Sequence, residues 1–309
     1  MTRYLVTGAA GFIGSQLVRA LLEEKQEVHV LVRETSDLWR LHDIQESLHI
    51  HTSDISDAQA MQDLLTQIQP THVYHLAHYG GNVNESNPKT IRETVIEGTA
   101  SLYTACAALQ NLQAIIHGGS SSEYGRKSEA MKEDMLAEPN TEYGLAKLWA
   151  TLYGEHLRRD RGMPITTLRL FSVYGPYEAR KRLFPAVILS LLKGKDPQLN
   201  NPNVARDFVY IDDVVQAFLL AREKPYGVYN IGTGTSTTIR EVVDSITKHL
   251  PPTNPLVWGG EKGREFDTQF WCADMNHTKN VFGWTPQTTI SEGVEKTVTW
   301  FRLHEKKYD

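Results

Sequence analysis

Apolar residues along this chain fall into two alternating rhythms, short strand-like runs followed by stretches at helical spacing. The first run, Tyr4, Leu5 and Val6, leads into glycines at Gly8, Gly11 and Gly14. SQLVRALLEE then places Leu17, Val18, Leu21 and Leu22 on one helical face. QEVHVLVR alternates Val28, Val30 and Val32 and predicts a second strand; SLHIHTSDI predicts a third, ending at Asp54, before the helix DAQAMQDLLTQI. THVYHLAH reads as a fourth strand, a long helix is expected from Asn87 to Leu109, and AIIHGG reads as a fifth strand. EYGLAKLWATLYGEHLRR is helical again. This alternation predicts an α/β fold, a doubly wound parallel sheet with helices on both faces. After Pro176 the pattern breaks into shorter pieces, expected to form a smaller mixed α/β lobe. Within it, NVARDFVYIDDVVQAFLLA looks like a return to the main core, and GVYNIGTG reads as another strand with a glycine turn.

Strand, glycine turn and helix in that order make a phosphate cradle. Glycine lets the backbone turn tightly and approach a pyrophosphate, and the free N–H groups at the helix start attract anions. Gly8, Gly11, Phe12, Ile13 and Gly14 are therefore the expected contacts of a dinucleotide. The second strand ends at Arg33, about twenty residues on, where the adenosine ribose is read. An arginine there suits a 2′-phosphate and favours NADP(H), while Glu34 beside it keeps NAD(H) open. Asp54, with Ile55 beside it, is placed near the adenine, or else caps the following helix. Leu76 and Ala77, at the end of the fourth strand, form the expected wall beside the cofactor. His72, His75 and His78 have the look of a metal trio, but His72 and His75 point to opposite faces of a strand and no carboxylate stands at ligand spacing. No metal is expected.

Composition narrows the class. The chain has 309 residues and a formal net charge of −5, with no basic stripe for nucleic acid. No apolar run reaches the roughly 18 residues of a membrane span. The sequence opens directly on a strand, so no secretion signal is expected. Cys106 and Cys272 stand far apart, which suits a reduced, cytoplasmic protein without disulfides. Residues 1–175 are expected to form the dinucleotide-binding domain, rejoined by residues near 206–230, and residues 176–309 mainly a substrate lobe.

Tyr143 and Lys147 are four apart on one helical face and can act on one target. A phenol with an ordinary pKa near 10 is a poor acid–base group at neutral pH, but a neighbouring ammonium favours the phenolate. A serine hydroxyl from the end of the fifth strand can bind the same substrate oxygen while a nicotinamide moves hydride.

TGAAGFIG, SSSEYG, YGLAK, LRLFSVYGP and RDFVYIDDV, in this order, resemble an extended short-chain dehydrogenase/reductase acting on nucleotide-linked sugars, with a Rossmann-type fold. The resemblance implies Tyr143 as acid–base, Lys147 as its helper, and either Ser120 or Ser121 as third member. It places Arg206 on the nucleotide diphosphate, with an ion pair to Asp207, Asp212 or Asp213 as the competing assignment. Arg264 and Asp267 fall in a loop that holds the nucleotide in similar proteins. Two departures stand out: Val95 and Ser172 occupy positions where the family usually has asparagine, the second against the sugar diphosphate. Arg33 and SSSEYG favour an NADP(H)-dependent reductase of a nucleotide-linked 4-keto-6-deoxy sugar. A 4,6-dehydratase with Glu123 as its base and a 4-epimerase are the alternatives. The resemblance also implies a homodimer through a four-helix bundle of the long helices, which carry apolar residues on more than one face. Trp284 and Trp300 are expected in the core.

Overall fold

The computed structural model describes residues 2–81, 86–259 and 269–308. Seven parallel strands form the main sheet: β1 (Arg3–Thr7), β2 (Glu27–Val32), β3 (His49–Thr52), β4 (His72–His75), β5 (Ala114–Ser120), β6 (Ile165–Leu170) and, late in the chain, β10 (Val228–Ile231). Their spatial order is β10-β6-β5-β4-β1-β2-β3. Chain order thus reverses between β1 and β4, and the loops leaving their carboxyl ends part to open a crevice there. Alternation along β1 explains the two-layered core. Tyr4 and Val6 join one apolar cluster and Leu5 the other, on opposite faces of the sheet.

The first face is covered by α1 (Phe12–Glu23) and the second by α2 (Ala58–Ile68), whose Met61, Leu65 and Ile68 are buried. The helix beginning at Asn87 has three parts: α3 (Pro88–Ile91), a π-helical stretch Arg92–Glu97, and α4 (Gly98–Cys106). The asparagine side chain caps its start, accepting from the N–H of Lys89 and Thr90. Val95 lies in the π stretch and is buried in a cluster with Ile91, Ala146 and Ala150, so this site of departure is a packing position. The cap of α2 is Asp57, not Asp54: Asp57 accepts from Ala60 N at 3.0 Å, whereas Asp54 accepts from Ser56 N at 2.9 Å in the preceding turn.

Beyond α5 (Glu142–Arg161), the chain forms β7 (Ser172–Tyr174) and α6 (Leu183–Leu192), then two short strands, β8 (Ala205–Arg206) and β9 (Phe208–Tyr210). Those strands do not enter the main sheet. β9 pairs with β7, and β8 pairs with β11 (Thr237–Thr238), so the return to the main layer is made by α7 (Ile211–Ala221) and β10. α8 (Ile239–His249) and α9 (Ile290–His304) close the chain, each begun by a threonine–glutamate capping box. Trp284 is buried, and Trp300 packs its ring on Tyr177 and Phe301. No described helix is long and apolar enough to cross a membrane.

Candidate active site

The glycine turn closes on itself as glycine alone permits. Gly8 has φ of +71°, and a Cβ there would stand 2.5 Å from the Leu76 carbonyl carbon. A Cβ on Gly14 would stand 2.2 Å from the Gly8 oxygen. Gly11 donates to Gly8 O at 3.0 Å and is the N-cap of α1 without any side-chain cap. The N–H groups of the first turn, Phe12 and Ile13 among them, are thus left for an anion. The neighbouring strand end is stapled alongside: Leu76 N donates to Thr7 O at 3.1 Å and Ala77 N to Thr7 Oγ1 at 3.2 Å. This cradle fits a dinucleotide pyrophosphate. Arg33 is exposed past the end of β2, in a turn closed by Ser36 Oγ, which accepts from Arg33 N at 2.9 Å. Ile55 is buried where Gly98 lets α4 pass, since a Cβ on Gly98 would meet Ile55 Cγ2 at 2.6 Å.

Across the crevice, Thr141 caps α5 by accepting from Gly144 N at 3.0 Å, placing Tyr143 in the first turn. Gly144 lets that turn sit directly on the serine segment: a Cβ would meet Ser122 O at 2.5 Å. The Tyr143 ring is half-buried, packed over Gly80 and Gly81 with its centroid 6.0 Å from that of His78. Lys147 is one turn further in, buried, with Nζ donating to Gly118 O at 2.9 Å. Burial pushes its pKa down to about 8, against the opposing pull of Glu123. Serine segment, tyrosine, lysine and the 76–81 strand exit therefore converge.

The two candidate serines differ in wiring. Ser120 Oγ accepts from Ser122 N at 3.1 Å, while Ser121 Oγ accepts from the Trp271 indole at 3.0 Å. Glu123 requires a correction, because its carboxylate does not face the crevice. It is fully buried, with Oε1 accepting from Ser120 N at 2.8 Å and Oε2 from Arg169 Nε at 2.8 Å. Arg169 also donates to the Tyr124 hydroxyl at 3.0 Å, and that hydroxyl donates to Asn230 Oδ1 at 2.6 Å. This ion pair fixes the serine turn from beneath. Sequence reasoning passed over Arg169, although an arginine inside the strand run ITTLRL signals a buried partner.

Ser172 is half-buried in β7, its N–H donating to Asp207 O at 2.9 Å. Arg206 lies in the β8 ribbon with its guanidinium 5.5 Å from the Trp271 ring centre, so Trp271 spans from Arg206 to Ser121. Two of the three carboxylates weighed as its ion partners hold backbone. Asp207 accepts from Thr233 N, Gly234 N and Ala273 N at 2.7, 2.9 and 3.1 Å, and Asp213 from Gln287 N and Thr288 N. Arg264 and Asp267 lie outside the described residues.

The family model for NAD dependent epimerases/dehydratases matches residues 4–232. A UDP-glucose 4-epimerase of Mycolicibacterium smegmatis is 31% identical over 97% of this chain and 98% of its own length. UDP-glucuronate 4-epimerase 1 of Arabidopsis thaliana is 28% identical over 96% of this chain and 76% of its own. Among solved structures, UDP-glucose 4-epimerase of Thermotoga maritima with UDP-glucose superposes with a TM-score of 0.90, at 28% identity over 98% of this chain and 100% of that one. UDP-glucuronic acid 4-epimerase of Bacillus cereus, in complex with UDP-glucuronic acid and NAD, gives 0.87 at 27% identity, covering 98% of this chain and 100% of that one.

Proposed function

The chain belongs to the NAD dependent epimerase/dehydratase family of extended short-chain dehydrogenase/reductase enzymes, and on that premise we propose that it is a 4-epimerase of a nucleotide-linked hexose of the UDP-glucose or UDP-glucuronate kind. The reductase expected first has less support, because most of the similar proteins named above and their solved structures are 4-epimerases, with a 4,6-dehydratase among the structural neighbours. The observation that carries the reading against elimination is the Glu123–Arg169 pair, 2.8 Å apart and buried. A dehydratase needs a carboxylate facing the sugar, and this one is committed to the serine turn.

When bound in the cradle, the dinucleotide supplies the acceptor and donor of hydride. Tyr143 takes the proton of the hydroxyl at the reacting carbon and returns it to the carbonyl oxygen after the sugar has turned over. Lys147 as an ammonium favours the phenolate, and Ser120 or Ser121 donates to the same oxygen. Arg206 and Ser172 at the β7–β8 side, with Arg264 and Asp267, would hold the nucleotide diphosphate, in a substrate lobe drawn mainly from residues 176–309. Leu145 and Leu152, 55% and 56% exposed on α5, support a homodimer through this helix and the one beginning at Asn87.

Purified protein given UDP-glucose or UDP-glucuronate without added cofactor should interconvert it with its 4-epimer, resolved by chromatography. Absence of interconversion, with NADPH oxidised by a nucleotide-linked 4-keto-6-deoxy sugar, would overturn the reading. Arg33 is the observation that favours this second reading and NADP(H), and Arg33→Ala decides it: a 2′-phosphate contact requires NADPH affinity to fall more than NADH affinity.

A further inference from the structure

We propose that His78 is a positioning residue of the crevice, whose Nε2 accepts a hydrogen bond from a donor on the bound ligand, either the nicotinamide half of the dinucleotide or the sugar. The proposal deepens the reading above and rests on its ligands. His78 follows directly on Leu76 and Ala77, the strand exit stapled to Thr7 beside the glycine turn. Its Nδ1 lies 3.0 Å from the Leu76 carbonyl oxygen. A carbonyl only accepts, so Nδ1 carries the proton, and in the neutral ring Nε2 is left with a lone pair. The ring stays neutral. Desolvation on the protein side of the ring and the nearby Lys147 push its pKa below the ordinary histidine value.

The same ring is exposed, opening to the crevice next to Tyr143 at 6.0 Å between centroids. A neutral, tautomer-fixed imidazole therefore presents an acceptor on the wall that the tyrosine also lines. His75, three residues earlier, makes the contrast: its two nitrogens bond Thr7 Oγ1 at 2.8 Å and Thr99 Oγ1 at 2.9 Å, and it has nothing to offer a ligand. The hydroxyls of the cofactor ribose, its carboxamide N–H₂ and the hydroxyls of a hexose are all donors such an acceptor can hold.

The test compares His78→Phe, which keeps a ring and removes the acceptor, with His78→Gln, which restores one. Each protein is first freed of any dinucleotide it retains; NAD is then titrated calorimetrically into it, and UDP-glucose into each NAD-saturated protein. The expected loss in His78→Phe is about fivefold in one of the two affinities, the size of one neutral hydrogen bond, recovered in His78→Gln. A loss confined to NAD identifies the donor as the cofactor's, and one confined to UDP-glucose as the sugar's. Unchanged affinities, or a loss that glutamine does not restore, overturn the proposal. Should the phenylalanine variant fail to fold, ¹⁵N spectra of the wild-type histidines decide. His78 must show a protonated Nδ1 and a bare Nε2 whose resonance moves on adding NAD or UDP-glucose, and the opposite tautomer ends the proposal. Neither measurement requires turnover, so the absence of epimerase activity would fail the functional reading without deciding this one.

Discussion

The two edges of the main sheet carry similar polar residues wired in opposite ways. At the amino edge, Glu27, His29 and His49 bring possible metal-ligand atoms within 4.8 Å of one another. The cluster's central imidazole is engaged on both nitrogens. His29 bonds His51 Nε2 at 3.0 Å and Glu27 Oε1 at 3.1 Å, its ring stacks on His49, and Glu27 also holds Arg3 at 3.4 Å. Burial lowers basic pKa values at both edges, those of His29 and His51 at the amino edge and that of Lys147, to about 8, at the carboxyl edge; only at the carboxyl edge do Tyr143, His78 and the serines stand beside a crevice. Groups kept in costly states beside a cleft mark a site, while groups that satisfy one another mark structure. The comparison predicts that substitutions at the carboxyl edge change chemistry more than stability, and those at the amino edge do the reverse.

The largest expected effect is at Tyr143. Tyr143→Phe keeps the ring on Gly80 and Gly81 and removes the proton carrier, so kcat should fall about a thousandfold, within the range of lost general acid–base catalysis. Bound dinucleotide, read by absorbance of the purified protein, should be retained. Residual turnover near wild type would remove Tyr143 from the mechanism. Next is Glu123, which lies at the carboxyl edge yet is wired like the other. Glu123→Gln leaves Arg169 as a buried charge without its carboxylate, which costs about 3–5 kcal/mol where such pairs are broken. Denaturant unfolding should show that loss. A variant of unchanged stability but altered product would return Glu123 to the chemistry.

Legibility followed the same division. The glycine turn could be read because Gly8 and Gly14 answer a steric demand that no other residue meets, with Gly11 between them. Tyr143 and Lys147 could be read because a helix fixes what four residues of spacing means. Glu123 was misread because its position suits a base, and only its partner Arg169, 46 residues later, reveals that it is buried and paired. Asp207 and Trp271 were missed or undervalued for the same reason. One gathers backbone N–H groups from Thr233 to Ala273 and the other bridges Arg206 to Ser121, contacts that no local pattern encodes. The segment holding β8 and β9 was read as a return to the main core, and the short ribbons it forms beside that core were not foreseen, because a two- or three-residue strand does not announce its pairing.

Lys147 offers a smaller effect of opposite sign. Its folded pKa of about 8 lies below the ordinary 10.5, so the fold disfavours the proton that the unfolded chain keeps. The cost is complete below pH 8 and fades as pH rises toward 10.5, the window in which wild-type stability gains. Lys147→Met escapes it. The variant should be more stable than wild type by about 1–2 kcal/mol below pH 8, after allowing for the lost bond to Gly118, with the gap closing toward pH 10. Turnover should be lost throughout. A gap independent of pH would mean that Lys147 is not strained by its burial.

The smallest effect, and the one that probes the other edge, is at His29. His29→Ala removes two hydrogen bonds from a network in which Glu27 keeps Arg3, so stability should fall by about 1 kcal/mol with kcat unchanged. Thermal unfolding with and without Zn²⁺ completes the test. Both His29 nitrogens are engaged, by His51 and Glu27, and must exchange those bonds for the metal, which leaves His49 as the one imidazole of the trio able to bind without that exchange. The wild-type Tm should therefore not move with the ion. A rise that His49→Ala abolishes would show that ligand atoms within 4.8 Å outcompete their internal partners, and the amino edge would then be a binding site of its own.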